Sequence, residues 1–240
     1  MQVLQVSVDD PATNLAIDEA LLNDAEASET PLEYLRLWEF SRPVVVVGRA
    51  SKVADEVQQP FCREAGIPIL RRCSGGTAVT VGPGCLLYSL VLSTELRPEM
   101  REIDTVHRFV MQSVQSQLSP HLDGLEFQGT CDLSWNDQKF SGNSLRVAKR
   151  SVLYHGTVLY DFPVDLVHST LGTPPRQPDY RRDRAHKDFV SNVPIDKTVL
   201  STAFCAAFAP GAPVSSQWPE ESARQLVIDR YARDEWNLRH

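Results

Sequence analysis

Between residues 125 and 160 four strand-like pieces follow one another with only short gaps: Leu125–Phe127, Asp132–Trp135, Lys139–Ser144 and Val152–Tyr160. A parallel pair needs a crossover of a dozen or more residues, usually a helix, whereas antiparallel neighbours need only a tight turn. The spacing here is that of hairpins. It favours a mixed, largely antiparallel sheet over a doubly wound one.

The first half of the chain interleaves helices with strands. Residues 12–26 carry Leu15, Ala16, Ile17, Ala20, Leu21 and Leu22 at helical spacing, with Asp18 and Glu19 toward the positive N-terminal end. Tyr34–Trp38 alternates like a strand, and Val44–Val47 is a β-branched run suited to a central strand that stops at Gly48. The pattern predicts a helix over 51–65 with Ser51 as its cap, a short strand over Ile67–Leu70, an apolar strand over Cys85–Leu92 and a helix over 103–118. Residues 173–188, rich in proline and charge, read as a surface loop, and one more helix is expected over 219–233. The fold class expected is α/β of the α+β type, a mixed, largely antiparallel central sheet flanked by helices, in a single domain over 1–240.

A net charge of -7 argues against a general affinity for nucleic-acid phosphates, though not against a local basic pocket. No stretch approaches the ~20 apolar residues that span a bilayer, and the N-terminus lacks the basic start and apolar run of a signal peptide. Five cysteines, widely spaced and without a Cys-x-x-Cys pair, fit reduced thiols in the cytoplasm and no fixed metal site.

Three segments carry chemistry. Arg71-Arg-Cys-Ser-Gly-Gly-Thr-Ala-Val79 joins two arginines, suited to phosphate or carboxylate, to glycines that let a ligand approach the backbone. It has neither the P-loop spacing nor the context of a dinucleotide fingerprint, and by glycine content alone a tight turn between strands is an equal reading. Gln138-Lys139-Phe-Ser-Gly-Asn-Ser144 places a compact cation where the chain can bend around a ligand, or a solvated lysine beside a turn. Tyr154-His-Gly-Thr-Val-Leu159 again permits close approach at Gly156, and its His155 reads first as a hydrogen-bonded core histidine.

In this order and spacing the three segments resemble the lipoate–protein ligase A family, part of the wider biotin/lipoate ligase and octanoyltransferase group. Arg71 to Val79 looks like the family's Arg-Arg-x-Ser-Gly-Gly-Gly-Ala-Val loop, Lys139 to Asn143 like its Lys-[Val/Ile/Phe]-Ser-Gly-[Ser/Asn] segment, and Tyr154 to Leu159 like its His-His-Gly-Thr-Leu-Leu segment. Weaker echoes lie in Asn14–Leu21, in Gly48-Arg49 and in the basic stretch Asp179–Asn192.

The resemblance implies an enzyme attaching a lipoyl or octanoyl group to one lysine of an acceptor, with ATP and magnesium forming lipoyl-adenylate first. Lys139 would be catalytic. Substrate or adenylate binding would fall to Arg49, Arg72, Ser74, Gly75, Gly76, Thr77, Ala78, Val79, Asp132, Ser141, Gly142, Asn143, His155, Gly156 and Thr157. The acyl chain would need an apolar tunnel walled by Val44–Val47, Ala78, Val79 and the 152–159 strand. Acceptors would be lipoyl domains of 2-oxoacid dehydrogenases or the H protein of glycine cleavage, and the enzyme a monomer. A second version implied by the group is a transferase drawing octanoyl or lipoyl groups from an acyl carrier protein through a thioester on Cys131, whose thiol Lys139 would acidify. A third, non-catalytic version keeps the acyl pocket alone.

The chain departs from the family pattern at Val81, where many members have histidine, at Thr77 in place of the third glycine, and at Tyr154 in place of the first histidine. Residues 195–240 are expected to form a C-terminal extension with one helix in place of a separate accessory domain.

Overall fold

The computed structural model describes residues 1–173 and 177–239. In chain order the strands are β1 (Gln2–Leu4), β2 (Tyr34–Trp38), β3 (Val44–Val47), β4 (Ile69–Arg71), β5 (Val79–Val81), β6 (Cys85–Ser93), β7 (Glu126–Gln128), β8 (Asp132–Trp135), β9 (Gln138–Val147), β10 (Ser151–Leu159) and β11 (Val214–Ser215). The helices are α1 (Pro11–Ala27), α2 (Val53–Glu56), α3 (Gln59–Glu64), α4 (Ile103–Leu118), α5 (Asp165–Thr170), α6 (His186–Phe189), α7 (Lys197–Phe208), α8 (Glu220–Leu226) and α9 (Asp234–Asn237).

Eight strands form the main sheet in the order β11-β1-β2-β6-β10-β9-β8-β7, parallel where β1 meets β2 and β11 and antiparallel from β2 onward. The hairpin reading of residues 125–160 is the β7-β8-β9-β10 meander. A second sheet, β4-β3-β5, has the valine run of β3 at its centre, so those valines are central to the small sheet and not to the large one. Side chains alternate across β6: Leu87 and Val91 join a core with α1 and the small sheet, while Leu86, Tyr88, Leu90 and Leu92 join a second core with α4 and α7.

Helix α1 starts where Asp10 accepts from the Thr13 amide at 2.9 Å with Pro11 at its first position. It is buried on nearly every side, Asn14, Asp18 and Glu19 included. Each fully buried leucine along it contributes roughly 1.5–3 kcal/mol, and its buried polar groups are bonded: Asn14 to Arg36 and the Val8 carbonyl, Asp18 to Arg36 and Ser89, and Glu19 to Arg146, Arg230 and Tyr231.

Three sequence expectations are corrected. The helix over 51–65 is two short ones: Pro60 opens α3, and Val57 between them is extended and bridged to Leu171. The extension over 195–240 holds more than the one helix expected: residues 197–208 form α7, which Asp196 caps by accepting from the Thr198 and Val199 amides, and α8 and α9 follow. The helix over 219–233 stops at Leu226 and widens into a π turn, Val227–Tyr231, which sets Tyr231 into the core. The loop expected over 173–188 falls partly outside the described residues, at 174–176. Its remainder carries a 3₁₀ turn, Asp179–Arg181, and runs into α6, with Arg181 and Phe189 buried. No described helix is long and apolar enough to cross a membrane.

Candidate active site

Between β4 and β5 the loop 72–78 turns its carbonyls away from the space in front of it. Ser74 O accepts from the Arg49 amide (2.7 Å), Gly75 O from Ser144 Oγ (2.8 Å), Gly76 O from Ser51 Oγ (3.1 Å) and Thr77 O from Arg72 Nη2 (3.0 Å). The amides of Gly75, Gly76 and Thr77 find no acceptor among the described residues. The next amide, Ala78, is taken by Glu56 Oε2 at 2.6 Å. A row of unclaimed N–H groups is an anion-binding element. Two glycines make the turn possible: Gly76 has φ +84, and a β-carbon on Gly48 would lie 1.9 Å from Gly76 O.

The two arginines have different tasks. Arg71 points away and ties the Gly48 and Ser51 carbonyls (2.7 and 2.8 Å) to the Trp236 carbonyl (2.9 Å), with Asn237 Oδ1 accepting from its own amide (3.0 Å). Arg72 lies within the loop, donating to Val46 O at 3.1 Å and to the Gly75 and Thr77 carbonyls. Burial pulls its pKa down to about 10, only partly offset by Glu56, and no carboxylate pairs with it among the described residues. Its positive charge is therefore left to act on the cavity it lines.

That cavity, of about 310 Å³, opens between the two sheets. Leu15, Trp38, Val46, Val79, Val81 and Leu87 make its apolar walls. At one side Lys139 Nζ meets Asp132 Oδ1 at 2.7 Å, and Tyr180 donates to Asp132 Oδ2 at 2.9 Å. Cys131 stands beside them with its thiol on the Asn143 carbonyl at 3.0 Å. Burial pushes that thiol up to about 11; Asp132 adds to the shift, and Lys139 and Arg72 offset only part of it. The thiolate expected beside Lys139 is thus disfavoured, because Asp132 holds the lysine and burial outweighs it. On the neighbouring strand β10 His155 Nε2 lies 2.5 Å from Ser74 Oγ, and Nδ1 lies 3.2 Å from Asp18 Oδ2. Asp18 also accepts from Arg36 (2.8 Å) and Ser89 (2.7 Å). Burial alone would raise its pKa, but the His155 bond and the Arg36 charge outweigh that and lower it.

A smaller cavity, of about 110 Å³, adjoins the first and shares Thr77, Val79, Lys139, Gly142 and Thr157 with it. Arg181 and His186 face it from the 179–189 segment. Arg181 is buried with one hydrogen bond, Nε to Arg184 O at 2.9 Å, its guanidinium over the Phe189 ring, and no ion pair among the described residues. Burial, Arg181, His168 and Lys139 push His186 down to about 4, so it stands neutral near pH 7. The space is thus faced by Lys139 and by a guanidinium that has no ion pair among the described residues.

Most residues singled out from the sequence meet here. Arg72, Gly76, Thr77, Val79, Cys131, Asp132, Lys139, Gly142, Asn143, His155, Gly156 and Thr157 line the larger cavity, and Ala78 and Ser141 the smaller. Ser74 sits just behind His155. The Arg49 side chain stays outside; only its backbone joins the loop. Asn143 spends its side chain on Tyr88 and on the Cys131 carbonyl (2.7 Å), bracing the wall. Of the walls expected from the sequence, Val46 and Val79 reach the larger cavity, whereas Val44, Val45 and Val47 belong to the core beneath. Val81 supplies apolar wall, and Tyr154 points to the other face of the sheet with its hydroxyl 3.1 Å from His107 Nδ1. Leu15, Asp18, Trp38, Leu87, Tyr180 and Arg181 were not foreseen as site residues.

Residues 10–200 match the family model of the lipoyl protein ligase A/B catalytic domain. Lipoate–protein ligase 1 of Staphylococcus aureus is 25% identical over 243 residues, covering 96% of this chain and 71% of that protein. The octanoyltransferase LipM of Brevibacillus brevis is 28% identical over 265 residues, covering 95% of each. Among solved structures, the bi-partite lipoate protein ligase from Thermoplasma acidophilum, studied with its E2 lipoyl domain, superposes with a TM-score of 0.82 at 22% identity over 99% of this chain and 95% of that one. With its loop, its lysine and its histidine strand drawn around one acyl-sized cavity, the chain belongs to the lipoyl protein ligase A/B catalytic domain family.

Proposed function

We propose that the chain, an enzyme of protein lipoylation, works as an ATP-dependent ligase: it joins lipoate to AMP and passes the lipoyl group to one lysine of a lipoyl domain. One observation carries the choice of ATP over a thioester. Beside the acyl cavity lies a second cavity faced by Lys139 and by the buried guanidinium of Arg181, which has no ion pair among the described residues. A nucleotide phosphate satisfies both cations, whereas a cysteine thioester leaves the Arg181 charge uncompensated. The high pKa of Cys131 supports the same choice, since the protonated thiol is a poor nucleophile.

In this reading the acyl chain lies along Leu15, Trp38, Val46, Val79, Val81 and Leu87. The amides of Gly75 to Thr77 and the charge of Arg72 hold the carboxylate as it meets the α-phosphate. Lys139 leaves Asp132 and sits between phosphate and acyl oxygen, where negative charge builds in both half-reactions. Ser141, Gly142 and Thr157 shape the neck between the cavities. Magnesium would enter with the nucleotide on phosphate oxygens; no group of three or more His, Cys, Asp or Glu side chains able to hold an ion occurs among the described residues. The acceptor is a lipoyl domain of a 2-oxoacid dehydrogenase or a glycine-cleavage H protein, the chemistry that the E2 partner of the Thermoplasma ligase suggests.

The test is pyrophosphate exchange dependent on lipoate, alongside mass spectrometry after incubation with octanoyl-carrier protein. Exchange in wild type and in Cys131→Ser, with no acyl adduct on Cys131, is the expected result. An adduct on Cys131 without exchange assigns the chain to the thioester mechanism. Lys139→Ala should cut transfer by about 10²–10³ or more in either mechanism.

A further inference from the structure

Amide formation at this site requires a group that takes the acceptor lysine's proton. A lysine arrives as an ammonium and reacts as an amine. Six titratable groups besides His155 line the larger cavity: Asp18, Arg72, Tyr88, Cys131, Asp132 and Lys139. Arg72 and Lys139 are cations and cannot take a further proton. Burial pushes Cys131 up to about 11 and Tyr88 well above its ordinary range, so both already hold theirs. Asp132 has a carboxylate oxygen on Lys139 (2.7 Å) and the other on Tyr180 (2.9 Å). Asp18 gives one oxygen to Arg36 (2.8 Å) and the other to Ser89 and His155.

His155 is differently placed. Asp18 accepts from Nδ1, which fixes the tautomer and leaves the Nε2 lone pair toward Ser74, 2.5 Å away. Ser74 Oγ in turn accepts from Arg72 Nε at 3.1 Å, so its hydroxyl proton lies on the bond to Nε2. Nε2 is thus held by one neutral hydroxyl, whereas Asp132 is held by an ammonium; the neutral bond is the weaker competitor. The imidazole edge reaches the cavity while Ser74 is 1% exposed, so the group an incoming amine can meet is the histidine.

We propose that His155, held by Asp18, is the base that takes the proton of the acceptor amine. The step rests on the lipoyl-adenylate reading above. The amine nitrogen bonds to the acyl carbon as the bond from that carbon to the AMP phosphate oxygen breaks. One surplus ammonium proton goes to His155 Nε2 and the other leaves on the departing AMP. Asp18 stabilises the imidazolium and Arg36 keeps Asp18 ionised. His155 lines the open cavity, from which the proton returns to solvent.

The experiment supplies purified lipoyl-adenylate to wild type and to His155→Gln, with two nucleophiles: the acceptor protein, and hydroxylamine, which is already neutral near neutral pH. Transfer to the acceptor should fall about 10²–10⁴-fold in His155→Gln at neutral pH, a deficit that shrinks about tenfold per pH unit as free lysine amine appears. Acylation of hydroxylamine should stay within about threefold of wild type. A parallel loss with both nucleophiles would make the residue structural, and no loss with either would remove it from the reaction; both results overturn the proposal. His155→Asn gives the same readout should the glutamine variant fold poorly. If wild type refuses lipoyl-adenylate, the adenylate reading fails by itself. The same pair of nucleophiles is then applied to an octanoyl thioester, since the amine must lose its proton to either acyl donor.

Discussion

Glu19 fastens the C-terminal segment to the first helix. Its buried carboxylate, 2% exposed, accepts from Arg146 (2.6 Å), Arg230 (2.5 Å) and Tyr231 (2.7 Å). Glu19→Gln keeps the shape and one good acceptor but leaves two guanidiniums against a neutral amide. Removing one partner of a buried ion pair costs about 3–5 kcal/mol. Here the arginines are 29% and 32% exposed, so water takes up part of their charge. The cost should fall to about 2–3 kcal/mol. For a chain of this size that lowers Tm by about 4–12 °C. Differential scanning calorimetry measures it, with Arg230→Gln and the double variant completing a cycle. The double variant should lose less than the two single losses added, because one of the two uncompensated charges is gone and only Arg146 still faces the amide. A Tm within about 2 °C of wild type for Glu19→Gln, or strict additivity in the cycle, refutes the reasoning. The loss should extend to ligand affinity, because Tyr231 and Trp236 lead directly to the bonds on Arg71.

Gly156→Ala should cost more than about 3 kcal/mol and most of the activity, since its β-carbon would lie 1.7 Å from Asn143 Oδ1 and 2.9 Å from Tyr88; thermal melts read the loss. Arg181→Met should raise KM for ATP by about 10- to 100-fold while lipoate binding measured calorimetrically without nucleotide stays unchanged. Stability should also depend on acid. Asp18 and Glu19 are both lowered from ordinary values of 3.8 and 4.5, so what they contribute is complete above the unfolded values and disappears as pH falls through the lower folded ones. Urea midpoints should be flat above about pH 5.5 and drop below about 4.5, and Glu19→Gln should flatten that acid limb.

Much of this molecule can be read from residue order because its site is built from segments whose signals are local. A lysine before Ser-Gly-Asn, Gly142, and a histidine before Gly-Thr with its Gly156 lie on the adjacent strands β9 and β10, which a hairpin joins, and the Gly75–Gly76 loop of the small sheet meets β9 through Ser144 Oγ. The acyl walls are less legible: Leu15, Trp38 and Leu87 are apolar residues of ordinary elements, and nothing local distinguishes a leucine facing a cavity from one facing core. Arg181 was hidden by its charged, proline-rich surroundings, which look solvated until Phe189 is found under the guanidinium. The pairing of His155 with Asp18 spans 137 residues and has no trace in either neighbourhood. Helix α7 did carry a signal, the Asp196 cap followed by Leu200, Ala203, Phe204 and Phe208. Its β-branched residues at 198 and 199 and its alanines weaken the helical stripe.

The short strand β11 has a consequence for the order in which a ribosome delivers this chain. Strand β1 is made before β2 and finds it soon afterward, yet its other edge waits until Val214 and Ser215 have been made. The Arg230 and Tyr231 partners of Glu19 come later still, and the Trp236 and Asn237 groups on Arg71 after them. Until those residues are made the glycine-rich loop exists without its outer brace, next to a β1 edge that is still unpaired. Delivery of residues 214–237 becomes the event that covers the outer side of β1 and stiffens the loop, so nascent chains should acquire lipoate affinity in one step at that length and not gradually.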